Sequence, residues 1–281
     1  RMSVMGICNK VAGMIGILIL YNALFKGKEE LIANIQNTAA GPEKEMMLQQ
    51  LSNGVILPYI IMTMVLIGLV IFIKSAHLPE IIEEEKKIDG HKASIFSFPY
   101  MWLGVLAIFF YVGAEVIAID TLIPYGDFYG IPTSVSHYFG IYALIALLVG
   151  YVCGILFVPK VISQRNALII QLCLSVVLVI VALCTHGITS ILAIICLSFA
   201  HAIMWPAIWP LAIHDLGDHT EFASALLVMA IVGGAIMPLI YGKIADVVNP
   251  HDAYALLFVS YAYILFFATV GCKITRKRVK E

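Results

Sequence analysis

Two carboxylates lie inside one of the most apolar runs of the chain, in the stretch YVGAEVIAIDTLIPYG that covers residues 111–126. Of the eighteen acidic residues, only Glu115 and Asp120 fall within such a run. A charge at the centre of a membrane-spanning helix costs about 2.5 to 3.5 kcal/mol on insertion scales, so such residues usually face a cavity or a partner. Glu115 is therefore a candidate solute-binding residue, whereas Asp120 lies close to the outer end of the run, where water can hydrate it.

The spacing of these two acids decides what they can do together. Five residues at 3.6 per turn set their side chains about 140° apart, so on a regular helix they cannot bind one small ligand. Pro124 has no N–H to donate to the carbonyl of Asp120, and we expect the helix to kink or break there. Discontinuous helices often line transporter sites. The hypothesis is that Glu115 hydrogen-bonds a polar solute in a central cavity and that Asp120 lies on the outer approach.

A second polar pair, Asn9 and Lys10, interrupts the first apolar run, and Lys10 is the only basic residue within any such run. Two interpretations of Lys10 stay open. A lysine near the end of a span can extend its charge to the inner membrane surface, or it can line the cavity and pair with an acid, which need not lie in this chain. Asn9 is a further candidate for binding the solute.

A third polar insertion is the stretch SFAHAIMWPAIWPLAIHDLG, residues 198–217. His201, Trp205 and Trp209 recur at i, i+4 and i+8, so a continuous helix places them in one stripe. Two prolines, Pro206 and Pro210, free carbonyl groups in the same turns. Aromatic faces beside an imidazole and freed carbonyls suit a sugar, which has apolar C–H faces and polar edges. The alternative is that the stripe serves packing or a membrane-surface belt.

Weaker candidates of the same kind are His137 with Tyr138 on the fourth apolar run, and Gln171 on the fifth.

The stretch HDLGDHTE, residues 214–221, raises a different class of function, a membrane-embedded metalloenzyme. It contains several potential metal ligands: His214, Asp215, Asp218, His219 and Glu221. The two histidines are five residues apart, not the four that place both on one helical face in metalloproteases. A turn between two spans, broken by Gly217, explains the stretch better, and we predict no metal site and no enzymatic activity.

The composition predicts an all-α membrane protein. The 281 residues are 61% hydrophobic and 12% charged, whereas a soluble domain has about 25% charged residues. A helix needs about 20 apolar residues to span a bilayer. Eight runs satisfy this, at about residues 3–25, 54–73, 98–123, 134–158, 167–185, 190–212, 223–241 and 253–271. The net charge of −1 gives no reason to expect a nucleic-acid partner, and the six cysteines have no CxxC spacing.

The orientation follows from the excess of Lys and Arg in cytoplasmic loops. With the start of the chain inside, twelve basic residues lie in inside segments and four in outside segments. We therefore expect both ends of this chain to be cytoplasmic, in a protein whose surroundings are membrane lipid.

The charged segment 74–97 is expected to be a cytoplasmic linker between two helical bundles. Two spans precede it and six follow, whereas many transporters are built from repeated halves. A six-plus-six protein shortened by four helices at its front would have this layout. The predicted domains are the last two helices of an N-terminal bundle (1–73), the linker (74–97) and a C-terminal six-helix bundle with a short tail (98–281).

Three motifs resemble the fucose permease and glucose/galactose permease branch of the major facilitator superfamily. FFYVGAEV at residues 109–116 is similar to the seventh-span motif of that branch, in which an acid or amide follows Tyr-Val-Gly. The segment from Trp205 to Gly217 matches its tenth-span pattern of aromatic, Pro, x, Ile, aromatic. TEFASALLVMAIVGGAIMPLIYGKIAD at 220–246 is similar to its eleventh span.

The resemblance implies that the eight runs are spans five to twelve of twelve. It implies a monomeric, cation-coupled transporter of a monosaccharide such as glucose, galactose or fucose in the bacterial inner membrane, working by alternating access without a cofactor. One departure is that ILFVPKVISQR lacks the Gly-Arg pair usual at the end of the eighth span. In fucose permeases the proton-coupling acids belong to the first and fourth spans, which this sequence lacks. Whether H⁺ or Na⁺ drives transport therefore stays open, as do the alternatives of another polar solute and of a solute sensor that does not transport.

Overall fold

The protein is helical throughout the part of the chain that the computed structural model describes: residues 2–24, 31, 34–35, 38, 41–75, 98–158 and 161–274. Within those residues there is no β-strand, as the sequence predicts. The expected linker 74–97 lies outside them apart from its first two residues, which end a helix. The short tail from residue 275 onward also lies outside the described residues.

The α-helices of the described residues follow the predicted apolar runs. The first six are α1 (Met2–Leu24), α2 (Pro42–Ser75), α3 (Pro99–Asp120), α4 (Leu122–Phe128), α5 (Thr133–Phe157) and α6 (Gln164–Cys184). They are followed by α7 (Ile188–His201), α8 (Met204–Ile213), α9 (Thr220–Met229), α10 (Gly233–Val247) and α11 (Leu257–Thr269).

Seven helical segments in the described ranges are long and apolar enough to cross a membrane, where the sequence predicts eight. The difference lies in α1, whose apolar part is the shorter stretch Val4–Ile19. Two of the seven segments combine consecutive helices: Ile188–Ile213 contains α7 and α8, and Thr220–Val247 contains α9 and α10. The chain is thus a multi-pass membrane protein.

The helix break that the sequence predicts near Pro124 is present. α3 ends at Asp120 and α4 begins at Leu122, two residues before Pro124. The stripe of His201, Trp205 and Trp209 assumes one continuous helix, which the structure does not show, since α7 ends at His201 and α8 begins at Met204. Pro206 then falls in the first turn of α8, where the absence of its N–H costs no intrahelical bond.

The break between α9 and α10 involves no proline. The 3₁₀ turn Ala230–Val232 separates these helices and leads into Gly233, and no proline lies in the turn. A Cβ atom built on Gly233 would lie 2.0 Å from the carbonyl oxygen of Phe109, on α3. Only glycine therefore lets α10 approach the α3 backbone so closely, as small residues do between membrane helices.

The chain divides into two compact units. One comprises Arg1–Gly13 and Lys92–Glu281 and contains the start of α1 and all helices from α3 onward. The other, Met14–His91, contains α2, a 34-residue helix with no buried residue. The boundaries of these units do not test the predicted domain boundaries at residues 73 and 97, which stay a prediction.

Inside the larger unit, Arg165 at the start of α6 hydrogen-bonds the end of α11. Its Nε atom donates to the carbonyl of Ala268 at 2.6 Å, and Nη2 donates to that of Thr269 at 3.2 Å. These carbonyls belong to the last turn of α11, which has no intrahelical donor for them. A guanidinium there also interacts favourably with the negative end of the helix dipole.

Candidate functional site

Glu115 is buried in α3, with 9% of its surface exposed, and both of its carboxylate oxygens have partners. Lys10 Nζ donates to Oε1, and the hydroxyl of Tyr111 donates to Oε2. Tyr111 lies four residues before Glu115 and therefore on the same face of α3. The carboxylate is thus held in one orientation by an ammonium group from another helix and a hydroxyl from its own.

Lys10 reaches Glu115 from α1, across 105 residues of sequence. Of the two interpretations of Lys10, the structure shows the pairing with an acid. The side chains of Lys10 and Glu115 keep exposures of 17% and 11%, so both charges are largely removed from solvent. The close approach of α1 is possible beside Gly6, since a Cβ atom there would lie 2.6 Å from the ring of Tyr151 on α5.

Tyr111 connects the ion pair to the predicted aromatic stripe. Its ring centroid lies 6.3 Å from that of His201 in an edge-on arrangement, and 6.2 Å from that of Trp205. Trp205 and Trp209 lie together on α8, with centroids 5.3 Å apart. Both indoles are half-buried, so part of each remains available to a solute. The stripe and the ion pair therefore form one continuous site.

His201 is fully buried, and only one of its two ring nitrogens has a hydrogen-bond partner among the described residues. Its Nε2 atom lies 2.8 Å from the hydroxyl of Tyr261 on α11, whereas Nδ1 has no hydrogen-bond partner among the described residues. Directly after it the helix breaks, and Pro206 cannot donate to the carbonyl of Ala202. A buried polar atom without a partner costs about 1–3 kcal/mol. The site therefore has hydrogen-bonding capacity that a solute or water can use.

The other predicted site residues do not join this group in the described contacts. Asn9 is exposed on α1, and Asp120 is exposed at the end of α3. His137 is buried near the start of α5, where Nδ1 donates to the carbonyl of Thr133 at 2.9 Å. Gln171 is buried on α6, and its side-chain oxygen has no partner in the described part of the chain. Their roles stay predictions.

Two contributors to the site were missed by sequence reasoning, Tyr111 and Tyr261. The first could have been found, because it lies one turn before Glu115. The second carries no signal in the sequence, since its partner His201 is 60 residues away and on another helix.

The stretch considered for metal binding forms a turn. His214 donates through Nδ1 to the carbonyl of Leu211 at 2.9 Å, and its own carbonyl accepts from Tyr100. The ring of His219 lies 5.9 Å from that of Phe98. In the described residues, no three His, Cys, Asp or Glu side chains are grouped as a metal ion requires. The histidines thus pack the end of α8 against the start of α3.

Comparison with known proteins identifies the family. The Major Facilitator Superfamily model matches residues 50–238, more than half of the chain. A glucose/galactose transporter of Brucella abortus is 30% identical over 233 residues, which cover 79% of this chain and 55% of that protein. A putative glucose/galactose transporter of Helicobacter pylori is 31% identical over 228 residues, covering 79% and 56%. The chain spans about half the length of these relatives.

Solved structures agree in fold. The crystal structure of a variant of the Escherichia coli fucose:proton symporter FucP superposes with a TM-score of 0.62 at 19% identity, covering 96% of this chain and 70% of that one. A structure of FucP in the outward conformation gives a TM-score of 0.61. The chain belongs to the Major Facilitator Superfamily. This confirms the predicted family and the predicted all-α membrane fold.

Proposed function

We propose that the protein transports a monosaccharide such as glucose, galactose or fucose by alternating access, and that Glu115 binds the sugar. The observation that carries the proposal is the site around this residue: a buried carboxylate, an ammonium group and two half-buried indoles, connected through Tyr111. Hydroxyl groups of a sugar can donate to Glu115 and accept from Lys10, while its C–H faces pack on the tryptophans. The names of the relatives support the same class of solute.

The rest of the proposal rests on the resemblance to sugar permeases and on the distribution of charge. The resemblance implies the bacterial inner membrane, and both ends of this chain lie in the cytoplasm because basic residues are concentrated in the corresponding loops. It acts as a monomer, without a cofactor, and H⁺ or Na⁺ drives uptake. Net uptake of labelled sugar driven by an H⁺ gradient alone or by a Na⁺ gradient alone separates the two couplings.

Counterflow of labelled glucose, galactose and fucose into proteoliposomes tests the transport of a sugar. The full-length protein is compared with its Glu115→Gln variant, which keeps the shape of the side chain and removes its charge. Asp246→Asn is the matched control, since Asp246 is exposed on α10. We expect counterflow of at least one sugar, weakened by Glu115→Gln and unchanged by Asp246→Asn. Folded protein that exchanges none of the three sugars would refute the proposal.

A further inference from the structure

The Lys10–Glu115 pair brings together the two buried formal charges that the described residues contribute to the site. Lys10 is the basic residue that interrupts α1, and Glu115 is the buried acid of α3. The remaining acid of α3, Asp120, lies within electrostatic range of both groups, but it is exposed at the helix end, where solvent screens its charge. The partners that Glu115 and His201 gain besides Lys10 are tyrosine hydroxyls, which carry no formal charge. Within the described residues, the buried part of the site therefore offers one positive and one negative charge to whatever enters it.

The two charges act strongly on a solute because the ion pair is largely buried. Both side chains keep less than a fifth of their surface exposed. Charges that are partly buried interact more strongly than exposed ones, because solvent and salt screen them less. A neutral solute can place a hydroxyl between the two groups, donating to the carboxylate and accepting from the ammonium. A charged solute would meet one favourable and one unfavourable charge within a few ångströms.

We infer that the Lys10–Glu115 pair is a charge filter that selects neutral sugars over amino sugars and uronates. This inference rests on the proposed function and states which member of the sugar class the site accepts. It assigns Lys10 a role in specificity that is separate from holding helices together. Removing one charge should then change which charged sugar is accepted, with opposite signs for the two residues.

The Lys10→Met variant leaves the carboxylate alone in the site. A cationic amino sugar such as glucosamine then supplies the missing positive charge and becomes a better competitor. The Glu115→Gln variant leaves the ammonium alone and favours an anionic uronate such as glucuronate. Because close and partly buried charges interact strongly, we expect each preference to change by about tenfold or more.

The measurement is competition by glucosamine and glucuronate against binding of the neutral sugar that the protein exchanges. It is made at a mildly acidic pH that keeps the amino group protonated. Equilibrium binding to purified full-length protein is used, so that a variant too slow to transport still gives a result. The quantity compared is the ratio of the two competition constants, which cancels any general loss of affinity.

Further variants separate the effect of charge from that of folding. Lys10→Met with Glu115→Gln removes both charges, restores neutrality and should return the ratio to the wild-type value. Lys243→Met and Asp246→Asn make the same charge changes at exposed positions of α10 and should leave the ratio unchanged. If a single variant does not fold, Lys10→Glu with Glu115→Lys keeps the pair reversed and should retain the preference for neutral sugars.

The outcomes distinguish a failure of this inference from a failure of the proposed function. If no neutral sugar is exchanged or bound, the proposed function fails and the filter fails with it. If neutral sugars are exchanged but the ratio is the same in wild type, Lys10→Met and Glu115→Gln, the pair is structural only and the charge filter is wrong. Opposite changes in the two single variants, absent from the double variant, support it.

Discussion

The contribution of the Lys10–Glu115 pair to stability can be predicted from its burial. Removing one partner of a buried ion pair costs about 3–5 kcal/mol, because the other charge is left without compensation. Here the side chains keep 17% and 11% of their surface. Water can still reach both, so we expect the lower end, about 3 kcal/mol, for Lys10→Met and for Glu115→Gln.

The double variant should cost no more than either single variant, because it leaves no unpaired charge. The two single losses then exceed the double loss by a coupling energy of about 3 kcal/mol, the upper part of the range for residues in contact. Glu115 keeps its bond from Tyr111 when Lys10 is replaced. Lys10 has no second partner in the described contacts when Glu115 is replaced, but its long side chain can move toward solvent.

Denaturant titration of the purified full-length protein in detergent measures these free energies of unfolding. The control cycle uses Lys243→Met, Asp246→Asn and their combination, all at exposed positions. Each control change should stay within about 0.5 kcal/mol of wild type. A coupling energy below about 0.5 kcal/mol at Lys10 and Glu115 would refute the reasoning, since contacting charges that do not interact energetically cannot be a paired buried site.

Three further predictions concern other parts of the molecule. Gly233→Ala should destabilise the protein by about 3 kcal/mol or more, because the added methyl group overlaps the α3 backbone. The control Gly242→Ala, whose methyl group meets no atom within 4 Å, should leave the stability unchanged. Equal thermal midpoints of the two variants would contradict the close packing. Arg165→Ala should lower the unfolding free energy by about 1.5–3 kcal/mol, and Arg165→Lys should lower it by less. If both variants unfold like wild type, the hydrogen bonds from Arg165 to α11 do not stabilise the protein. Tyr111→Phe should weaken sugar affinity by about tenfold and leave the maximal counterflow rate nearly unchanged, as measured over a range of sugar concentrations; unaltered affinity would remove this hydroxyl from the site.

Much of the helical architecture could be predicted from the sequence, because its signals are local. Apolar runs of the length of a bilayer become helices, and the break near Pro124 follows from the missing proline N–H. The break at Ala230–Val232 could not be predicted in this way. No proline lies there, and the neighbouring close approach of Gly233 to α3 joins residues far apart in sequence, so it leaves no local signal.

The residues of the candidate site were easier to predict from the sequence than the contacts between them. Glu115 is recognisable because a buried acid is costly in a membrane, and Trp205 and Trp209 do share one face of α8. His201 does not continue that helix, because the chain breaks at residues 202–203. Tyr111 reconnects the two parts by contacting both rings. That contact and the pairing with Lys10 join different helices, and neither leaves a periodic signal in one sequence.

The central claim is that Glu115 binds the transported sugar. Equilibrium binding of the sugar that the full-length protein exchanges tests it most directly, with wild type, Glu115→Gln and Asp246→Asn compared at equal amounts of folded protein. We expect the affinity to fall by about tenfold or more in Glu115→Gln, the loss of a hydrogen bond to a charged group, and to stay at the wild-type value in Asp246→Asn. Equal affinity in all three proteins would contradict the account.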